Sequence, residues 1–442
     1  MLGKERALEQ GATLLRLVEG DAAEIVLKRQ DACLTRYANS TIHQNVSHED
    51  VTLSLRVVVD GGEGWAECNQ LDERSVSQAA AVARQQASAN RGSGEVIMAG
   101  PQTHACTPSH HASTIAFDPR QRAQAVAAIC QAAQKFGFSA AGTVGRDVAE
   151  TVMMNSKGLA AYQLVSEADI MAIVSGDEGS GFSRASSRDA ALLDPQALGE
   201  EAVHRCRLNH KPQELPSGSY PVVLAPYATA DLVMVLSAMA LGAGEVQQGS
   251  SFMATSQGER VFHPQVTLWD DGLDMRGLPL LFDSEGVAKQ RVELIAQGRP
   301  VSPVHDLTTG ERAGTPSTGH ASFRGAGSPF AANLFLADGE GNLDSLVSQL
   351  DRGVLITRFH YLAMVHPGQT RWSGMTRDGT FLIEGGRIAK ALRNLRFDDR
   401  IVDQLAGEVH LGGDVRTVKG FPGCAHVPSM LLERFNFTGS TL

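Results

Sequence analysis

Apolar and polar residues alternate along 24–28, 33–37 and most clearly 51–59, the two-residue period of half-buried strands. Gly61-Gly62-Glu63-Gly64 then turns the chain into 65–68, completing a strand meander. Residues 72–89 carry Val76, Ala80 and Ala83 on one face, with Asn69 or Asp72 available as a cap, which predicts a helix. The same order returns further on. A helix is expected over 119–135, strands over 139–144, 149–155, 160–165 and 169–174, then a Gly/Ser-rich turn and a helix over 195–207 with proline in its first turn. Asn39-Ser40 matches Asn155-Ser156, and Gly64-Trp65 matches Gly181-Phe182, at a nearly constant offset. The pattern predicts a duplicated strand-meander/helix unit, two similar halves (about 1–100 and 117–210) of one N-terminal α+β domain, residues 1–210.

Residues 211–219 are polar and hold two prolines, the texture of a linker. Beyond them, residues 220–442 read as a β-rich C-terminal domain. A strand at 220–224 and one strong helix at 229–241 are followed by short strand-like pieces at 261–262, 266–268, 289–295, 354–361, 369–376, 380–384, 387–391 and 430–437. Gly385-Gly386 is placed as the two-residue turn of a hairpin. Few helices and many short strands predict a closed or strongly curved sheet.

Composition narrows the class. The chain has 442 residues, 43% hydrophobic and 20% charged, and a formal charge of −10, which disfavours nucleic acid as a general partner. The longest apolar run, 232–243, falls short of the roughly 20 residues of a spanning helix, so no membrane is expected. Residues 1–19 mix charges with leucines as an amphipathic helix does, unlike a secretion signal. Six scattered cysteines without a CxxC pair indicate neither a disulfide framework nor a zinc knuckle, so a cytoplasmic location is expected.

Candidate chemistry is sparse. His48-Glu49 has no second histidine one turn on, so it cannot form the helical zinc motif. His104, Cys106, His110 and His111 sit in a polar loop, and His204, Cys206 and His210 near a helix end; structural roles account for both groups. His360, His366, Cys424 and His426 form the remaining set. A metal or catalytic role and a structural or substrate-lining role both stay open for these four. Glu63 within GGEGW would repel a phosphate, which leaves that stretch a hairpin turn.

The order of motifs adds more. Gly249-Ser-Ser-Phe, Asp283-Ser-Glu-Gly-Val-Ala-Lys-Gln-Arg, Thr376-Arg-Asp-Gly-Thr-Phe-Leu-Ile-Glu-Gly-Gly-Arg-Ile, Asn394-Leu-Arg-Phe and Pro428-Ser-Met-Leu-Leu-Glu-Arg-Phe, with Arg56-Val-Val-Val-Asp-Gly-Gly-Glu-Gly-Trp-Ala ahead of them, resemble the TldD/PmbA family of bacterial and archaeal proteases, once named modulators of DNA gyrase. The resemblance implies an α+β domain on a β-rich one, dimeric assembly and peptide-bond hydrolysis in an enclosed cavity. The family's TldD-like branch carries a zinc-binding HExxxH on the helix that opens the C-terminal domain, plus a cysteine ligand further on. Here that helix, from Ala228, has no histidine and no glutamate, and Asp231 is its only ionisable group. Cys424 lies closer to Pro428 than the family's ligand cysteine does to the matching proline, so the ligand role is not carried to it. The chain therefore resembles the PmbA (TldE) branch: no cofactor and no metal in this chain, zinc in a TldD-like catalytic partner, and unfolded peptide as substrate. The alternatives are a free-standing metallopeptidase with a rearranged site at His360, His366, Cys424 and His426, or a non-enzymatic peptide-binding homodimer.

Overall fold

Two glycine pairs show how the first half of the chain is built. The computed structural model describes every residue except 91, 93–95, 257, 323, 421–422 and 441–442. Strands β1 (Ala22–Ala38), β2 (Thr41–Val59) and β3 (Gly62–Cys68) form an antiparallel meander, and β4 (Ser139–Asn155), β5 (Ala160–Ser175) and β6 (Ser180–Ser187) form a second. β1 and β4 pair antiparallel at the centre, giving one six-stranded sheet in the order β3-β2-β1-β4-β5-β6. Each meander ends under a helix: α2 (Glu73–Ala89), capped by Asp72, and α5 (Pro195–Leu208), capped by Asp194. A Cβ on Gly64 would stand 1.9 Å from the Ala83 carbonyl oxygen, and one on Gly181 would stand 2.1 Å from that of Ala202. Gly62 meets the backbone of α2 one turn on, at Ala87, and Gly179 meets the C-cap of α5 two turns on, at Asn209. Strand and helix touch backbone to backbone in both halves, which only glycine permits. The duplicated unit is thus real in space.

α1 (Lys4–Leu15) joins α2 on one half of a sheet face. α4 (Pro119–Gln134), preceded by the short α3 (Ala112–Ile115), joins α5 on the other half. The strands differ from expectation in length. The segments 24–28 and 33–37 are one strand, as are 139–144 with 149–155 and 160–165 with 169–174. Their polar middles stay extended because Arg29 pairs with Glu150 (3.7 Å) and Arg146 with Asp31 (2.7 Å) across β1 and β4. Ion pairs here occupy a place that apolar packing takes elsewhere.

The rest of the chain makes two sheets around one helix. β7 (Gly218–Leu224), β12 (Arg352–His366), β13 (Arg371–Glu384), β15 (Leu395–Arg400) and β19 (Met430–Ser440) pair in a ring, since β12 also pairs with β13, and the sheet closes. β14 (Arg387–Ala391) and β16 (Val409–Leu411) attach to this ring. Phe359, Trp372, Phe397 and Phe435 stack edge and face against one another in its core. The Gly385-Gly386 turn has φ of 57° and 73°, the left-handed values a tight hairpin demands. The second sheet runs β10-β9-β8-β11-β18-β17, from β8 (Leu268–Asp271), β9 (Arg291–Ala296), β10 (Arg299–Pro300), β11 (Asn333–Leu336), β17 (Arg416–Lys419) and β18 (Cys424–Val427). The expected closed sheet is present, with a second, open sheet beside it, and residues 261–262 belong to neither. The apolar helix α6 (Pro226–Ala240) lies between them, in contact with both β12 and β18. None of the described helices is long and apolar enough to cross a membrane.

Gly64→Ala and Gly181→Ala are each expected to destabilise the protein by about 2–3 kcal/mol or more, since neither clashing carbonyl can move without its helix. Gly100→Ala, with open space around it, should change stability by less than ~0.5 kcal/mol. Denaturant unfolding of the three variants measures both.

Candidate functional site

With four helices on one face, the six-stranded sheet turns its other face to the β-rich half. Strand alternation puts Gln30 on that face from β1, Asp147 from β4, Glu167 and Asp169 from β5, and Arg184 and Ser186 from β6. Three adjoining recesses lie along it. One of about 510 Å³ is lined by Arg36, Gln44 and His48, and one of about 250 Å³ by Arg188, Asn333 and Cys424. Asp147, Glu167 and Lys419 are common to both. The third, about 650 Å³, is lined by Trp65, Met153, Phe282 and Phe330 and meets the second at Leu280 and Ala332. Together they make a groove between the two halves of the chain.

Charges in the groove are largely paired. Glu167 holds Lys419, and Arg188 at 3.6 Å; Asp169 holds Arg184 at 2.9 Å and Ser186. Asp147 accepts from Gln30 at 2.6 Å, and burial raises its carboxyl above the usual aspartate value. The Arg188 guanidinium donates to the carbonyls of Ser166, Leu278 and Pro279, and burial lowers its pKa.

Two motifs hold the halves together. In the 283–291 segment, Asp283 accepts from the backbone of Glu285, Val287 and Ala321, shaping a turn whose Gly286 lies against Leu159. His104 hydrogen-bonds the Gly286 carbonyl at 3.0 Å. Glu285 accepts from the Leu307 N–H at 2.9 Å, and desolvation raises its carboxyl from the ordinary 4.5 to about 8. In the 376–388 segment, Asp378 accepts from Ser180 at 2.6 Å and from Arg358, which stacks over Phe182 at 4.2 Å. Both motifs are thus clasps.

The helix α6 does not fit zinc. Its side chains are almost all apolar and buried, and Ser237 spends its hydroxyl on the Ala331 carbonyl at 2.7 Å. Asp231 accepts from the Phe359 N–H at 3.2 Å and is pushed up to about 7 by its apolar surroundings. Cys424 is buried, its thiol on the Asn333 amide oxygen at 3.6 Å, and desolvation pushes it up to about 12. No three His, Cys, Asp or Glu side chains converge on one point among the described residues.

The four histidine and cysteine candidates lie on two strands that belong to different sheets. His360 and His366 lie on β12, His360 against Tyr361 and His366 exposed at the strand end; Cys424 and His426 lie on β18. The ring of His426 packs on Phe335, with Nδ1 2.7 Å from the Thr417 hydroxyl. Irregularities of β12 between His360 and Ala363 and between Met364 and His366 break the alternation that would hold its two histidines on one face. His111 sits 3.6 Å from Asp189 and His210 3.4 Å from Glu178, so each faces a carboxylate. Asp147, Glu167, Asp169 and Arg184 escaped the sequence reading. Their signal was present, as charges recurring every second residue inside strands whose other face is apolar.

Two family profiles match: PmbA/TldA metallopeptidase C-terminal domain over residues 217–439, and PmbA/TldA metallopeptidase domain 1 over 23–87. The Metalloprotease TldD homolog of Buchnera aphidicola is 25% identical over 54% of this chain and 52% of its own length. Metalloprotease PmbA of Escherichia coli is 23% identical over 51% of this chain and 48% of its own. The chain spans about half the length of the curated relatives it matches. TldE from Thermococcus kodakarensis superposes with a TM-score of 0.86 at 20% identity, covering 98% of this chain and 99% of that one. A Thermotoga maritima protein described as a modulator of a DNA gyrase gives 0.84 at 22% identity, covering 97% and 99%. At such identities the likeness is one of fold.

Two outcomes follow from the site. Iodoacetamide at pH 8 should label exposed Cys106 readily and leave Cys424 unlabelled until the protein is unfolded, as read by peptide mass spectrometry. The native state holds the Glu285 proton more tightly than the unfolded chain does, so this group's stabilisation is present below about 4.5 and is lost as pH rises through about 8. Glu285→Gln should therefore remove on the order of 1–3 kcal/mol of the stability lost between pH 5 and pH 9, measured by unfolding at both pH values.

Proposed function

The chain belongs to the PmbA/TldD metallopeptidase family, and we propose that within it the protein is a PmbA/TldE-like subunit of a cytoplasmic peptide-degrading system, without a zinc site of its own. The observation that carries this is α6. Metal-assisted hydrolysis needs ligands that fix the ion and a base near its water, and this helix offers leucine, valine, methionine and alanine in their place. Zinc, on this reading, resides in a TldD-like partner, and this chain helps to hold unfolded peptide.

The groove supports the holding role. β3 pairs only with Leu53–Val59 of β2, which leaves 41–52 as an edge beside the recess lined by Gln44, Val46 and His48. An extended peptide can add to such an edge through backbone hydrogen bonds, without regard to its sequence. A free-standing enzyme built on His360, His366, Cys424 and His426 is disfavoured by their division between two sheets.

The test is purification of the chain alone and with a TldD-like subunit, followed by zinc analysis and digestion of a disordered peptide. The expected result is metal and cleavage only in the pair, with a heterodimer by native mass spectrometry. Stoichiometric zinc and cleavage in the lone chain would overturn the reading.

A further inference from the structure

Asp147, Arg188 and Asn333 line the middle recess of the groove, and each carries one buried polar atom with no protein partner among the described residues: Asp147 Oδ1, Arg188 Nε and Asn333 Nδ2. Arg188 is 8% exposed and Asn333 3% exposed, so neither side chain turns outward to bulk water for a partner. Buried polar groups are nearly always paired. Three residues with an unpaired polar atom gather around one small cavity, so small side-chain shifts would let a bound molecule reach them. Whichever way the Asn333 amide is turned, one end binds the Cys424 thiol and the other is left over.

The chemistry of the three groups is complementary. Arg188 and Asn333 offer N–H donors, which call for an anionic or carbonyl oxygen. Asp147 offers an acceptor whose other oxygen is already on Gln30, which calls for an N–H or ammonium. Glu167 is neutralised by Lys419 and Arg188 and adds no demand. A phosphate would be repelled by the two carboxylates, and a metal ion by the two cations. The cavity, about 250 Å³, has room for about eight waters at roughly 30 Å³ each, and Val165, Leu278 and Leu280 give it an apolar wall.

We propose that this recess binds a zwitterionic amino-acid unit, a free amino acid or a small dipeptide. Its carboxylate sits on Arg188 and Asn333, its ammonium on Asp147, and its side chain against Val165 and Leu280. All the groups come from this one chain, so the site does not depend on the subunit reading and can fail or stand separately from it.

The test is calorimetry and saturation-transfer NMR on the full chain with L-leucine and alanyl-alanine as probes. At least one probe should bind. Asp147→Asn, which keeps the shape and the Gln30 contact, and Asn333→Leu, which leaves the strand's backbone bonds in place, should each weaken it about tenfold or more. N-acetylation or C-amidation of the probe should do the same. Unchanged affinity in folded Asp147→Asn, equal binding of the blocked probes, or no binding by either probe would overturn the assignment and leave the recess a water site.

Discussion

A helix that is apolar on nearly every side has to be covered on every side, and α6 imposes that demand on the second half of the chain. The closed sheet with its Phe359–Trp372–Phe397–Phe435 cluster stands on one flank and the open sheet with β11 and β18 on the other. Ser251 bonds the Ala240 carbonyl at the helix end, and Gly420 on the strand side leaves space for Met234. The same demand keeps charged side chains off this helix, where Asp231 is the one acidic or basic residue. A histidine or glutamate turned into such packing would be desolvated without a partner.

The first half obeys a different constraint. Two copies of a meander and helix meet strand to strand at β1 and β4, each helix pressed to its meander through a glycine backbone contact. Covering one sheet face with four helices leaves the other to meet the β-rich half. Clasps at Asp283–Gly286 and Asp378–Arg358 hold that meeting at two places, and between them the halves stand apart enough to leave the groove. The polar face of the sheet is thus an internal surface. Its pairs, Glu167 with Lys419 and Asp169 with Arg184, are partly shielded from water and cannot be counted as ordinary surface ion pairs.

Much of the fold was legible because the signals were local. Alternation, caps at Asp72 and Asp194, the Gly385-Gly386 turn and the repeat of Gly64 at Gly181 all act within a few residues or recur at a fixed spacing. Strand lengths were less legible, since 28–32 and 145–148 are polar and look like breaks until Arg29 and Arg146 find Glu150 and Asp31 across the sheet. Histidines and cysteines drew attention by residue type, yet His360 and Cys424 lie in different sheets.

By itself the sequence determined the α+β class, the doubled unit and the apolar character of the helix of 226–240, because each depends on residue types at short spacing. Only the tertiary structure decided where the groove runs and which charges line it. Asp147, Glu167, Arg188, Asn333 and Lys419 come from strands and loops nearly three hundred residues apart, and no local rule pairs them. Pairing among distant strands is settled by burial of the whole chain at once.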